Sequence, residues 1–474
     1  MTGSRYPYRY ERTATTTELH ERFADLEPGA GTGTQARVAG RIMSVRSQGK
    51  VAFADLQDGG GRIQLFAHHG VLGDSGMAEF GKLSVGDIVG ADGEVIRTRR
   101  GELSLRVGES VLLAECRRPM PEKWHGVTDV EARYRQRYLD LLLNEAPRRA
   151  IVGRAAANDA IRRFLSERGF IEVETPLLQP IASGAVARPF KTHHNALDID
   201  LYLRIAPELY LKRLLIGGWE RVYELNRSFR NEGLSPRHNT EFTMLEAYEA
   251  YVDYNDTMTL VEDLTRAIAE AVNGSLTFVL GEETVDLGPA FRRMTMFEAI
   301  ASITGRDLSD AWASGDHDAI RTAASDLSVG VDPGEPPGIV VVEIFEQTTE
   351  KLLTAPTFVT GFPKEVSPLA KDHRAIPGFT EHADLVIGGV EIAPVYSELN
   401  DPDEQQWRFE QQARARAAGT EDVALPDEDF VEALGYGMPP AGGFGFGVDR
   451  FLTQLLDLHS LREVIMFPTM RPEA

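Results

Sequence analysis

Residues 222–248 read VYELNRSFRNEGLSPRHNTEFTMLEAY. Val222 to Leu225 reads as a strand with Phe229-Arg230-Asn231-Glu232 at its end. A loop containing Arg237 and His238 follows, and Glu241 to Tyr248 returns as a second strand. A strand–loop–strand with arginine at its mouth can hold a polyphosphate without a glycine-rich loop, because guanidinium makes bidentate, always-charged contacts to phosphate oxygens. A plain surface hairpin with ion pairs would use the same residues, so the stretch has to be weighed with what surrounds it.

Working outward, residues 200–255 run strand, helix, strand, loop, strand. Upstream, Ala150 to Arg168 is helical by period, with Ile151, Ala155, Ile161, Phe164 and Leu165 on one face and Gly169 as its stop. Phe170 to Pro176 is extended and ended by the proline. Downstream, 258–272 and about 290–330 read as helices, and Gly338 to Ile344, Thr357 to Thr360 and Ala383 to Ile392 as strands. Helices interrupt the strands irregularly, which predicts an antiparallel α+β arrangement. Residues 35–112 read differently: five short strands separated by glycine turns, the pattern of a small closed barrel of OB type. The expected organisation is a lead-in and linker over 1–34, the barrel over 35–112, a charged linker with Pro119 and Pro121 over 113–145, and a large domain over 146–474.

Composition narrows the function classes. Of 474 residues, 42% are hydrophobic, and the formal net charge is −22. Residues 1–120 carry 16 basic and 15 acidic side chains, the remainder 34 and 57. That balance argues against coating DNA, which needs a broad basic face, yet leaves room for a nucleic-acid partner at the near-neutral N-terminal quarter. No apolar run reaches the ~20 residues a membrane helix needs, and the first residues lack a signal-peptide core. One cysteine, Cys116, excludes an internal disulfide framework, so the cytoplasm is the expected compartment. There is no GxxxxGK[ST], HExxH or GxSxG.

Two further groups carry chemistry. Asp384, Glu391 and Glu398 recur every seven residues about the turn Gly388-Gly389. Carboxylates brought together can hold Mg²⁺ shared with a substrate phosphate, although solvated hairpin charges look the same in sequence. Asp449-Arg450 opens a helix after a strand containing Gly443, Gly445 and Gly447, where arginine and helix N-terminus both favour an anion.

Taken together, these pieces resemble a known family. Phe229-Arg230-Asn231-Glu232 resembles motif 2 of the class II aminoacyl-tRNA synthetases, Gly445 to Arg450 motif 3, and Phe170 to Pro176 motif 1. RPFKTHHNALDIDLYLRIAPELYLKRLLIGGWERVYELNRSFRNEG, RHNTEFTMLEAYEAY, EVSPLAK, YSELNDP and FPTMRP are similar to the lysyl-tRNA synthetase family within that class, from about residue 36 to the end. The resemblance implies an α+β protein with an N-terminal five-stranded OB-fold barrel and a catalytic domain built on an antiparallel sheet. It implies activation of lysine with ATP and transfer to the 3′ end of tRNA-Lys, in a homodimer whose interface includes Pro176. Arg230 would hold the α-phosphate and substrate carboxylate, Glu232 and His238 the ATP, Phe242 the adenine, and Arg450 the γ-phosphate side. Asp384 and Glu391 match the magnesium positions, the first being usually glutamate. Gly184, Glu208, Glu246, Tyr248, Pro394 and Glu398 fall at the amino-acid pocket. Arg46, Phe53, Gln64 and Glu102 fall at the anticodon-reading face of the barrel, where stacking and edge hydrogen bonds read single-stranded bases.

The segment Glu391-Ile392-Ala393-Pro394-Val395 departs from the family, which usually has asparagine at the place of Pro394 and a small residue at that of Val395. Proline offers neither a side-chain amide nor a backbone N–H. Val186, near Gly184, likewise stands where a small polar residue is common. These departures raise a second expectation, activation of a lysine analogue such as a β-amino acid or an ornithine-like compound. A third reading is a catalytically silent tRNA-binding or regulatory protein, against which Arg230, Glu232 and Arg450 all speak.

Overall fold

The computed structural model describes residues 5–121, 129–182, 184, 187–332, 334–417 and 426–473, with side chains left out at 415–417. The chain divides into two compact units, Met1–Gly126 and Val127–Ala474.

In the first unit, helix α1 (Thr16–Arg22) is started by a capping box between Thr15 and Glu18. Strands β1 (Gly31–Gln48), β2 (Val51–Gln57), β3 (Arg62–His68), β4 (Ile88–Arg97) and β5 (Leu103–Ala114) close into a barrel ordered β1-β2-β3-β5-β4. Helix α2 (His69–Phe80) joins β3 to β4. In β2 and β3 side chains alternate strictly: Ala52, Ala54, Leu56, Ile63, Leu65 and Ala67 are buried, and their neighbours face out. β1 begins at Gly31, inside the expected lead-in, and β5 runs to Ala114, because paired strands extend as far as their partners provide hydrogen bonds.

The second unit starts with two short helices, Val130–Arg135 and Arg137–Leu143, where a linker was expected. Two charged residues of this stretch, Arg137 and Asp140, are not solvated. Arg137 is buried against Asp140 at 2.5 Å and donates to the Met466 carbonyl. Helix α3 (Ala146–Ser166) leads to the short strand β6 (Ile171–Glu172). Then come α4 (Glu208–Ile216), β7 (Arg221–Phe229), β8 (Glu241–Ala250) and α5 (Tyr254–Asn273), the last bounded by an Asp253/Asp256 capping box and by Gly274 at φ 65°. Strand β9 (Arg292–Thr295), helix α6 (Pro337–Thr348), strands β10 (Thr357–Pro363), β11 (Phe379–Ile387), β12 (Val390–Ser397) and β13 (Ala441–Gly447), and helix α7 (Val448–Leu455) complete the frame.

Gly338–Ile344, expected as a strand, lies inside α6. A short apolar run cannot be told from a buried helical turn by periodicity alone. Here Pro337 starts a helix that buries Val340, Val341, Ile344 and Phe345 at helical spacing.

Eight strands form one sheet, ordered β9-β10-β11-β12-β13-β8-β7-β6, antiparallel except for the outermost pairs β9/β10 and β7/β6. One core cluster gathers Ile161 and Leu165 of α3, Val261 and Ile268 of α5, Phe451 and Leu455 of α7, and the sheet residues Leu245, Leu385, Ala393, Phe444 and Phe446. The opposite face of β8 and β13 carries Met244, Glu246, Tyr248 and the glycines 443, 445 and 447, the positions that alternate with that core set. This is the face that holds the site.

Candidate active site

The β7–β8 hairpin pairs in register from Arg221↔Glu249 to Phe229↔Glu241. Its alternation sends Phe242, Met244, Glu246 and Tyr248 to one face. On the next strand, Gly443, Gly445 and Gly447 pair with Tyr248, Glu246 and Met244. The glycines leave room for those side chains. A Cβ at Gly445 would sit 2.9 Å from Met244 Cε, and one at Gly443 would collide with Glu398 Oε1. So the run Gly-Gly-Phe-Gly-Phe-Gly is a two-sided strand, phenylalanine to the core and glycine to the cavity.

At the hairpin's mouth, Arg230, Glu232, His238, Phe242, Glu391, Pro394 and Arg450 line one cavity with Arg237, Met244 and Gly447. The Arg230 guanidinium lies 5.2 Å from the Phe242 ring centroid, and its Nε is buried without a hydrogen-bond partner. Burial pushes its pKa down, which Glu232 opposes. An arginine this desolvated is primed for an anionic ligand. Arg450 Nη1 lies 3.3 Å from Glu391 Oε1 and donates to the Glu391 carbonyl at 3.2 Å. The helix bearing Arg450 is pinned by Asp449, which pairs with Arg154 and accepts the Thr243 N–H at 2.8 Å. His238 is held by Ser235 Oγ at 2.9 Å, and partial burial, then the Arg450 charge, push its imidazole below the usual pKa.

Glu391 reaches this cavity through a β-bulge. Leu385 pairs with Ala393 but Val386 with Glu391, so Ile392 is the extra residue of β12. In a regular strand Glu391 and Pro394 would point to opposite faces, and the bulge brings both to the same one. Asp384, on β11, accepts from or donates to His382 Nε2 at 2.9 Å. Burial raises its carboxyl pKa, His382 opposing and Glu391 adding to the rise. Among the described residues no cluster of three or more His, Cys, Asp or Glu could hold a metal by itself. Glu391 lines the cavity beside Arg230 and Arg450 and lies close enough to Asp384 to raise its pKa, a pair of carboxylates that fits Mg²⁺, which commonly takes one or two protein carboxylates and completes its shell from phosphate and water.

Deeper in, the polarity reverses. Glu208 opens α4, Glu246 stands on β8 and Glu398 directly follows β12. Glu246 and Glu398 are buried. Burial, reinforced by the Glu208 charge, raises Glu246 to about 8, and burial raises Glu398 to about 7 against the pull of Lys212. Glu398 Oε1 is buried with no hydrogen-bond partner. Tyr248 and Tyr396 close the space, their phenols pushed well above the usual value by burial and by Glu208 among the neighbouring acids. Gly184, at φ 89°, packs its α-carbon over Ala206 and Glu208, where a Cβ would be 3.5 Å from both side chains. Gly184 and Glu208 share a cavity wall with Ser367–Ala370 and Tyr396.

The structure thus gathers most candidate residues of the second unit into two adjoining groups, although Pro394, expected with the amino-acid residues, lines the Arg230 cavity and Asp384 lines neither. Val395 is fully buried in the core cluster beneath the sheet, one residue out of phase with Pro394, so it is not a pocket wall. Val186 lies outside the described residues. Sequence reasoning missed Lys212, which sits between Glu208 and Glu398, although its i,i+4 spacing from Glu208 was readable. It also missed His382, stacked between Phe362 and Tyr396 at 3.9 and 4.5 Å, with Nδ1 2.8 Å from Ser367 Oγ. No sequence signal marked that stacking, because Phe362 and Tyr396 come from the neighbouring strands.

On the barrel, Arg46 pairs in register with Phe53, and Phe53 with Phe66. The two rings stack at 5.2 Å and 23°, and His68 continues the row 6.0 Å from Phe66. Gln64 lies on the same outward face and accepts from Ser104 Oγ at 3.1 Å. Glu102 is exposed just before β5. Phe66 and His68 extend the aromatic row beyond the residues expected from sequence.

A barrel of this order and an antiparallel sheet with arginines at a strand–loop–strand mouth and after a glycine strand define a class II aminoacyl-tRNA synthetase. The family model for class II tRNA synthetases (D, K and N) matches residues 129–471, and that for the OB-fold nucleic acid binding domain matches 36–113. The lysine–tRNA ligase of Moorella thermoacetica is 50% identical over 98% of this chain and 93% of its own length. That of Gloeobacter violaceus is 50% identical over 99% and 95%, and the heat-inducible lysine–tRNA ligase of Escherichia coli K12 is 46% identical over 99% and 94%. The chain belongs to the lysyl-tRNA synthetase family.

Proposed function

We propose that this protein activates lysine with ATP and charges tRNA-Lys, using the residues of the two adjoining pockets. The observation that carries the choice of amino acid is the acidic trio Glu208, Glu246 and Glu398, the last two buried, with one oxygen of Glu398 left without a partner. A buried carboxylate without a cation is costly, so such a cavity selects a substrate that brings positive charge on both its ends. The relatives above are named for the same substrate.

In the reaction, a carboxylate oxygen of lysine attacks the α-phosphorus of ATP and pyrophosphate leaves. A ribose hydroxyl of the tRNA 3′ end then attacks the aminoacyl carbonyl and AMP leaves. Neither step needs a protein nucleophile. The residues position reactants and neutralise charge, which is where most of the rate gain in such transfers arises. Arg230 spans the α-phosphate and the amino-acid carboxylate, both anionic and mutually repelling without it. Phe242 supplies a face for the adenine, and Glu232 and His238 hold ATP at the rim. Arg450, leaning on Glu391, takes the charge of the outer phosphates. Asp384 and Glu391 would hold Mg²⁺, which supplies further neutralisation of the polyphosphate when bound. Glu246 and Glu398 take the ammonium groups of the substrate.

Arg46, Phe53, Gln64, Phe66, His68 and Glu102 are the reading face for the anticodon. Aromatic rings in a row offer stacking, and Arg46, Gln64 and Glu102 offer edge contacts to unpaired bases. A single-stranded RNA partner fits this face better than duplex DNA, given the net charge of −22. A homodimer is supported by the exposed apolar side chains Ile171, Leu177 and Leu178 flanking Pro176. No helix among the described residues is long and apolar enough to cross a membrane, in keeping with work in the cytoplasm.

The test is amino-acid-dependent ATP–pyrophosphate exchange with L-lysine, β-lysine, ornithine and arginine. Exchange with L-lysine at the highest kcat/KM is the expected result. Preference for any of the others would overturn the choice of substrate, and no exchange with any would overturn the activity. Val395 faces the core, which removes half the sequence argument for an analogue.

A further inference from the structure

The amino-acid pocket contains a cation of its own. Lys212, one turn after Glu208 on α4, is fully buried. Its Nζ donates to Glu208 Oε1 at 2.7 Å, to the Leu369 carbonyl at 3.4 Å, and lies 2.5 Å from Glu398 Oε2. All three ammonium protons therefore have acceptors, and the acceptors come from three different walls: helix α4, the loop before β11 and the residue after β12. Nζ also stands 6.0 Å from the centroid of Tyr248. Burial disfavours the ammonium, but Glu208 and Glu398 more than offset it, so the pKa is raised and Lys212 stays charged. The same contact uses only one oxygen of Glu398. The other, Oε1, is left buried and partnerless, next to Gly443, where any Cβ would strike it.

We propose that Lys212 is a positioning and specificity-determining residue: an internal counter-cation that clamps Glu208 and Glu398 so that each keeps one oxygen for the substrate. The clamp also sets the charge of the occupied pocket. Once the substrate has drawn all three carboxylates into the ionised form, three against one ammonium leave two negative charges, the number that a diamino acid brings as ammonium groups. Two facing carboxylates without Lys212 would repel each other and turn apart or take up protons, and either response removes an acceptor from the substrate. Leu369 belongs to the loop that forms the wall opposite Glu208, so losing the clamp also loosens that wall.

This rests on the reading of the acidic cavity as the lysine site, and the experiment separates the two. Wild-type enzyme is assayed first for lysine-dependent ATP–pyrophosphate exchange, and failure there sinks the functional reading, not the role of Lys212. With an active wild type, Lys212→Met is expected to raise the KM for lysine about 10-fold or more, the loss of a hydrogen bond to a charged group, while the KM for ATP stays within about twofold. A residue needed only for stability would not split the two constants. A cycle with Glu398→Gln adds a second reading: the two substitutions act through one carboxylate, so their effects on KM should be markedly less than additive. Should Lys212→Met not fold, Lys212→Gln keeps an N–H donor in place and should show the same split at a smaller size. Unchanged KM for lysine in the folded variant, a parallel rise in both constants, or full additivity with Glu398→Gln would overturn the proposal.

Discussion

The two pockets of the second unit are built from the same strands and have opposite electrostatics. Phe242, Met244, Glu246 and Tyr248 alternate along one face of β8, yet the first pair borders arginines and the last pair borders carboxylates. The outer pocket holds Arg230 and Arg450 and is bordered by exposed loop residues such as Glu232 and His238. The inner one lies deeper: Lys212, Glu246 and Glu398 are all buried. On the proposed reading, the difference is how one strand would serve two unlike substrates. A polyphosphate needs fixed positive charge that never titrates, which arginine supplies. A cationic side chain needs negative charge that can appear on arrival, which a desolvated carboxylate supplies.

The largest test of this division is Arg230→Ala. Removing the guanidinium should lower kcat for exchange by about 10²–10³-fold, the usual size for losing a charge-stabilising donor. Rates are read by exchange and protein integrity by circular dichroism. An effect limited to lysine KM would place Arg230 in the wrong pocket.

Glu398→Gln is the mirror experiment. It keeps shape and removes charge, so KM for lysine should rise by about 10–100-fold with ATP binding nearly unchanged. Calorimetric titration of each ligand separately measures this split. Equal losses for both ligands would mean that the two pockets are not electrostatically separate.

Phe53→Ala acts on neither pocket. Stacking on one base is worth about 1–3 kcal/mol, so tRNA affinity should drop by roughly 5–150-fold while exchange without tRNA is unaltered. Filter binding at fixed salt and exchange on the same preparation decide it.

The titration of the inner pocket should be visible without any substitution. The Glu246 carboxyl is raised from the usual 4.5 to about 8 in the folded protein. A carboxyl raised on folding lends stability below its unfolded pKa and loses it as pH climbs through the folded one. The melting temperature of the ligand-free enzyme should therefore decline between about pH 4.5 and 8 beyond the trend of Glu246→Gln. Lysine binding at pH 7 should release about one proton, read from binding enthalpies in buffers of different ionisation heat. No release would mean that Glu246 is already ionised in the empty pocket.

The smallest effect concerns Pro394. It lines the outer pocket beside Arg230, and asparagine there would restore an amide. Pro394→Asn should lower the KM for lysine by up to about 10-fold, one charge-assisted hydrogen bond at its weak end. A gain for β-lysine instead would revive the analogue reading.

Much of this was readable in the residues, and the failures have physical causes. The hairpin with Arg230, the helix opened by Asp449-Arg450 and the five barrel strands were visible because each rests on local pattern: alternation, turn residues, a glycine run. Gly338–Ile344 was misjudged because a buried apolar run has no polar face to show its period. The linker at 113–145 was misjudged because the buried Arg137–Asp140 pair is indistinguishable, in sequence, from solvated charge. Asp384, Glu391 and Glu398 looked like one series. In the fold Glu391 turns to the outer pocket beside Arg450, and Glu398 to the inner one beside Lys212.

What the residues determined alone was the kind of chemistry: guanidinium for phosphate, carboxylates for a cation, aromatics for bases, and the family whose motifs carry them. Only the tertiary structure decided which carboxylate borders which pocket. The β-bulge at Ile392 sets the face of Glu391, and burial sets the proton on Glu246. Lys212 meets Glu398 across 186 positions of chain. Such assignments depend on desolvation and on contacts between distant strands, and neither quantity is a property of a local run of residues.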